Sequence, residues 1–172
     1  WSSDVCSSDL DLPKDAFAAF GSRFFYVGTV SEVSVIDLAT LRRVSSYPHG
    51  LQTHGDFAQF SLRPSPDERM LAIAMTIGSR STVKVLQTQG WEVLYEGSLR
   101  SSGGLSLSAW SPDSARFAFN VGYDQTGNNP RIAVLDVQRK AAGYADGRFD
   151  AVPIFAADSQ SLQSPAAVYR ME

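Results

Sequence analysis

Phe24-Phe25-Tyr26-Val27, Leu71-Ala72-Ile73-Ala74 and Phe117-Ala118-Phe119 share one layout, and Phe25, Leu71 and Phe117 stand 46 residues apart. The turns keep the same interval: Ser65-Pro66-Asp67 and Ser111-Pro112-Asp113 are also 46 residues apart, each just ahead of one of those apolar segments. Proline presets φ for a type I turn and aspartate bonds the backbone beside it, so each tripeptide predicts a hairpin tip. A fixed period of about 40 to 50 residues means that one supersecondary unit recurs and covers its neighbours.

Within each unit a second alternating run follows: Val33-Ser34-Val35-Ile36-Asp37, Val83-Lys84-Val85-Leu86 and Ile132-Ala133-Val134-Leu135-Asp136. A further run comes at 41–47, 91–96 and 148–154, and a strand candidate precedes the turn at 57–62 and 105–110. Four strands per unit is the make-up of a propeller blade. In Leu71-Ala72-Ile73-Ala74 the large residues point one way and the alanines the other, so both faces are apolar, as in a sheet covered on both sides. Helical signals are confined to residues 14–20, where a short helix fits the composition. The fold expected is all-β: an incomplete β-propeller of about three four-stranded blades. The approximate units are 11–55, 56–102 and 103–155, with a remnant at 156–172.

These units resemble the WD40-like propeller repeats of the TolB type, whose blades carry Ser-Pro-Asp-Gly before an apolar strand, and the related YVTN repeats with a Val-Ile-Asp strand end. The matching residues are Ser65-Pro66-Asp67, Ser111-Pro112-Asp113, Val35-Ile36-Asp37 and Val134-Leu135-Asp136, within residues 23–137. Glu68 and Ser114 depart from the pattern, standing where the family usually has glycine. If that position needs positive φ, both are strained or the turn differs. No Gly-His or Trp-Asp pair occurs, which argues against true WD repeats, and one Gly103-Gly104 is too little for kelch. Relatives of this repeat type are often periplasmic or exported in bacteria.

Residues 1–10 are expected to be foreign to the fold. Trp1-Ser2-Ser3-Asp4-Val5-Cys6-Ser7-Ser8-Asp9-Leu10 resembles a translated short-read sequencing adapter, matching TGG AGT TCA GAC GTG TGC TCT TCC GAT CT read in frame at all ten positions. Such a segment is set aside before any fold argument. It carries the single cysteine, Cys6, so no disulfide framework is available, and a chain without native cysteine fits any compartment. Removing Asp4 and Asp9 from the 18 acidic residues leaves 16 against 15 basic ones, a net charge of −1. Partner choice cannot be read from so small a balance, but with no like-charge block and no apolar run near the ~20 residues of a membrane helix, neither nucleic-acid binding nor membrane insertion is expected. Residues 11–172 make about three and a half units, whereas propellers have about 4 to 8 blades. An arc left open would forgo about 6 to 12 kcal/mol of apolar burial for every four large side chains uncovered. The expectation is that missing blades of the same chain complete the ring.

The candidate ligand-binding residues are His49, His54 and Asp56, which bring two imidazoles and a carboxylate to one inter-unit loop. Two histidines and one aspartate meet the minimum for a metal only if they converge. The plainer reading makes Pro48-His49-Gly50 a turn, and no metal is assigned. The loop 124–129 alternates oxygen-bearing side chains but has glycine at the fourth place and no glutamate at the twelfth, which is a polar hairpin loop rather than an EF-hand. Asp67 and Asp113 are separate turn formers, and Trp91 and Trp110 lie beside apolar runs as inter-blade packing. No nucleophile elbow, phosphate loop or metalloprotease motif occurs, so no catalytic residue and no cofactor is assigned. The function expected is a noncatalytic scaffold presenting loops and a channel to a protein or small-molecule ligand. The competing reading is the propeller part of an enzyme, either the gate of a prolyl-peptidase-like serine hydrolase or a lactonase-type propeller.

Overall fold

The computed structural model describes residues 16–29, 31–50, 59–77, 80–100, 106–123, 130–145, 154–164 and 167–170. The first sheet has the order β1 (Phe17–Phe20), β2 (Phe24–Gly28), β3 (Glu32–Asp37), β4 (Arg42–Pro48). The second runs β5 (Gln59–Pro64), β6 (Met70–Ile77), β7 (Arg80–Gln87), β8 (Val93–Arg100). The third is β9 (Ser106–Trp110), β10 (Arg116–Tyr123), β11 (Pro130–Asp136), β12 (Ala141–Ala145). A three-stranded sheet follows, made of β13 (Ile154–Phe155), β14 (Ser161–Ser164) and β15 (Ala167–Arg170). Every pairing is antiparallel between strands adjacent in sequence, and the register repeats: Phe25 pairs with Ile36, Leu71 with Leu86 and Phe117 with Leu135. Bulges between Val35 and Ile36 and between Val85 and Leu86 fall at equivalent places and increase the twist of the outer strands.

The sheets stack face to face as propeller blades. The first strands form the inner edge, where β1 meets β5, β5 meets β9 and β9 meets β13. Between the first two sheets lie Tyr26, Val33 and Val35 from one side and Phe60, Leu62, Leu71, Ile73, Met75 and Leu86 from the other. The next interface sets Ala72, Ala74, Val83 and Val85 against Trp110, Phe117, Phe119, Ala133 and Leu135. Ala118 and Ile132 then meet Phe155 and Leu162. The alternation in β6 therefore has a direct cause: its large residues fill the space toward the preceding sheet, while its alanines leave room for the two phenylalanines of β10. Gly28 serves the same end, since a Cβ there would run into the Phe60 ring.

Two local expectations are corrected. Residues 17–20 form strand β1 and not a helix, because Phe17 and Ala19 pack against the second sheet while the backbone pairs with β2. The fourth strand of the third unit is β12, ahead of 148–154, because a turn at Val137–Lys140 leads straight back into it. Ala-Ala-Gly-Tyr-Ala has little intrinsic strand preference, and pairing with β11 imposes the conformation. Ile154 belongs instead to β13 of the next sheet.

Truncating Ile73, which is 1% exposed, to alanine is expected to cost about 2–5 kcal/mol. Ala74→Leu is expected to cost about 1–3 kcal/mol by overpacking the opposite face. Val44→Ala, on an exposed site, stays within about 0.5 kcal/mol. Urea unfolding measures all three, and a neutral Ala74→Leu would contradict a sheet covered on both faces.

Candidate functional site

The turns between the first and second strands of the second, third and fourth sheets are each held by an aspartate. In the second sheet Ser65 Oγ donates to Asp67 Oδ1 at 2.7 Å, Asp67 Oδ1 accepts the Arg69 N–H at 3.1 Å, and Ser65 Oγ accepts the Met70 N–H at 3.0 Å. The third sheet repeats this: Ser111 Oγ to Asp113 Oδ1 at 2.6 Å, Ala115 N–H to Asp113 at 3.0 Å, Arg116 N–H to Ser111 Oγ at 2.9 Å. Pro66 and Pro112 occupy the loop position whose N–H would otherwise need a partner. In the fourth sheet Asp158 Oδ1 accepts the N–H groups of Gln160 at 2.8 Å and Ser161 at 3.1 Å.

Glu68, Ser114 and Ser159 have φ of 56°, 62° and 57°. Positive φ costs a non-glycine residue about 1–2 kcal/mol, so a side chain there needs a reason. The reason is the preceding sheet. Ser114 Oγ accepts the Asp67 N–H at 3.3 Å, and Ser159 Oγ accepts the Asp113 N–H at 3.2 Å. The Glu68 carboxylate accepts the N–H groups of Ser22 at 2.5 Å, Arg23 at 2.9 Å and Phe24 at 3.0 Å, and the Ser22 hydroxyl also bonds Oε1. A glycine would relieve the backbone and lose these links. Two indoles make similar connections, Trp91 Nε1 to Ser45 Oγ at 2.7 Å and Trp110 Nε1 to the Arg63 carbonyl at 2.9 Å.

These turns and those after the third strands share one face of the stack. At the inner edge they enclose a pocket of about 430 Å³ lined by Phe20, Gly21, Ser22, Arg63, Pro66 and Trp110 among others. A groove of about 1340 Å³ crosses the same face over three sheets, with Arg23, Arg69, Gln89, Glu92, Gln138 and Lys140 along it. Arg23 lies 3.6 Å from Asp37 and 4.9 Å from the centre of the Phe24 ring, and Lys140 lies 3.9 Å from Glu92 of the neighbouring sheet. Burial alone would raise the Asp67 and Glu68 pKa values, but donated hydrogen bonds outweigh it and both carboxyls sit below their ordinary range. The Ser111 hydroxyl does the same for Asp113. Asp37 is lowered by the backbone N–H of Thr40, which with Ala39 holds the turn after β3.

His49 lies at the opposite end of the first sheet, 3% exposed, with Nε2 3.0 Å from the Thr29 carbonyl and its ring 5.7 Å from Phe60. It ties the end of β4 to the β2–β3 hairpin. His54, Asp56, the loop 124–129 and residues 1–10 lie outside the described residues. Among the described residues no three histidine, cysteine or acidic side chains gather for a metal. Tyr26 occupies the place of Ala72 and Ala118 in the repeat, fully buried, and burial holds its phenol well above the ordinary range. Its hydroxyl has no hydrogen-bond partner among the described residues.

No family model matches the chain. No curated protein matches it either. Solved structures do. The Cps50 (Swd1) β-propeller domain of Myceliophteria thermophila is 10% identical with a TM-score of 0.58, over 91% of this chain and 55% of that one. KlAtg21, solved in complex with the coiled-coil of AgAtg16, is 14% identical with a TM-score of 0.59, over 88% and 49%. An uncharacterized protein of Listeria monocytogenes is 10% identical with a TM-score of 0.59, over 93% and 54%. The chain thus spans about half the length of these three structures, and the likeness establishes a β-propeller fold.

Lowered carboxyl pKa values stabilise the fold above the unfolded pKa near 4, and that contribution is lost as pH falls through the folded values. Unfolding free energy is therefore expected to be level from pH 7 to about 5 and to fall below about pH 4. Asp113→Asn should flatten part of that fall. A wild-type curve level down to about pH 2.5 would contradict the assignment of these carboxylates to turn-holding bonds.

Proposed function

We propose that this chain is part of a noncatalytic β-propeller, built of WD40-like repeats related to the TolB and YVTN types, that presents its turn-bearing face to a protein partner. The observation that carries the reading is the groove across three sheets. Its carboxylates Asp67, Glu68 and Asp113 are engaged by backbone N–H groups, and what remains along it is a set of arginine, lysine and glutamine side chains suited to contact, with Glu92 beside Lys140. A lowered pKa keeps such carboxylates ionised and makes them poor general acids at neutral pH. The complex of KlAtg21 with a coiled-coil supports a protein partner for a chain of this fold. Further blades of the same type completing the ring are part of the proposal. Phe20 supports it: its ring is stacked on Phe25 and is 70% exposed, an aromatic side chain of the first sheet that no neighbour among the described residues covers. His49, His54 and Asp56 are the proposed small-ligand set.

The test uses the full chain as bait, followed by affinity measurement with the captured protein in pure form. Arg69→Glu with Lys140→Glu is expected to weaken binding at least tenfold, and Ser31→Arg on the β2–β3 hairpin to leave it unchanged. Binding insensitive to the first pair would overturn the assignment of the face. For the histidine set, a bound divalent ion raises the melting temperature and His54→Ala abolishes the rise. An unchanged melting curve removes it.

A further inference from the structure

The first hairpin of the first sheet differs from its counterparts. Gly21 N–H bonds the Phe24 carbonyl at 2.8 Å around the two residues Ser22 and Arg23, whereas Ser65 to Met70, Ser111 to Arg116 and Ala156 to Ser161 close around four. Two-residue hairpins favour turns with positive φ, whose twist matches the strands. Neither Ser22 nor Arg23 is at positive φ. The short loop also lacks the aspartate that Asp67, Asp113 and Asp158 supply to the other turns. Its N–H groups at Ser22, Arg23 and Phe24 converge instead on one acceptor, the Glu68 carboxylate of the next sheet. Gly21 leaves the room, since a Cβ there would strike that carboxylate.

We infer that the Ser22–Phe24 turn is a carboxylate receptor, and that Glu68 is its latch, joining the first two sheets and fixing the rim of the inner-edge pocket. Phe20, Gly21, Ser22 and Glu68 all line that pocket, so seating or withdrawing one carboxylate reshapes its wall. Where the preceding turn carries its own aspartate, a serine hydroxyl is enough, as at Ser114 and Ser159; where it does not, a full carboxylate reaches across. The charged and titratable neighbours are Asp67 and Arg69 in the same turn and Tyr26 and Arg23 from the first sheet, with Arg23 paired to Asp37. Protonating Glu68 removes the negative charge that the three amides address, so acid loosens the latch.

Glu68→Gly separates the latch from the backbone, because it relieves the positive φ while deleting the carboxylate. The variant of this chain is expected to melt about 4 to 10 °C lower at pH 7. Sodium formate should restore several degrees to the variant, compared with sodium chloride at equal ionic strength, and give the wild type no such difference. The Ser22, Arg23 and Phe24 amide resonances of the variant should shift with formate. A variant as stable as wild type, or formate acting no better than chloride, would overturn the inference. Should Glu68→Gly fail to fold, Glu68→Gln keeps the shape of the side chain. Acidification from pH 7 to about 3 should then leave its Ser22 amide resonance still while moving that of the wild type, and equal movement in both would overturn the latch.

Discussion

A sheet that is apolar on both faces has to be covered twice, and the rest of this molecule depends on that requirement. Leu71, Ile73 and Met75 on one side of β6, with Ala72 and Ala74 on the other, cannot be buried by their own unit. The preceding sheet covers the first set and the following sheet the second, which turns a sequence period into a stack. At about 1.5–3 kcal/mol for each large side chain buried, the interfaces outweigh what any one hairpin contributes. The alternation of large residue and alanine also fixes direction, since a large residue facing the following sheet would meet the phenylalanines of β10. Tyr26 breaks that rule in the first sheet, and its hydroxyl, without a hydrogen-bond partner among the described residues, marks the exception.

Apolar faces set which surfaces meet; hydrogen bonds one repeat apart set how they align. Glu68 to the Ser22 turn, Ser114 to Asp67, Ser159 to Asp113, Trp91 to Ser45 and Trp110 to Arg63 all join residues 44 to 47 positions apart. The turns of the first three sheets are thus each completed by the sheet that follows. The strained φ at Glu68, Ser114 and Ser159 follows from this arrangement, because the residue that would relax the backbone has no side chain to send across. The same turns border the pocket and the groove, so the groups that align the sheets also shape the face proposed to meet a partner.

The architecture was legible in the sequence where physics is local or periodic. Phe25, Leu71 and Phe117 announced equivalent strands, and Pro66 and Pro112 announced turns through their own backbone constraints. The fourth sheet was harder to see, because Ala156-Ala157-Asp158 keeps only the aspartate of the turn motif. Strand β12 lacks the β-branched residues that mark a strand, and the four residues of β1 carry too little pattern to separate it from a helix. The role of Glu68 was invisible in the turn itself, since its partners stand 44 to 46 residues earlier. Reading each turn against the one a period before it would have placed Glu68 opposite Ser22. His49 could be singled out as a histidine in a loop, but its burial against Phe60 and its bond to Thr29 depend on a hairpin 20 residues away.

The account rests on successive repeats lying face to face in this register, and the two described indoles report it directly. Nuclear Overhauser contacts from the Trp110 Nε1 proton to Arg63 and Pro64, and from the Trp91 Nε1 proton to the Ser45 β-protons, are the predicted result, with both indole protons exchanging slowly. Rapid exchange of both, or contacts confined to each tryptophan's own sheet, would contradict it.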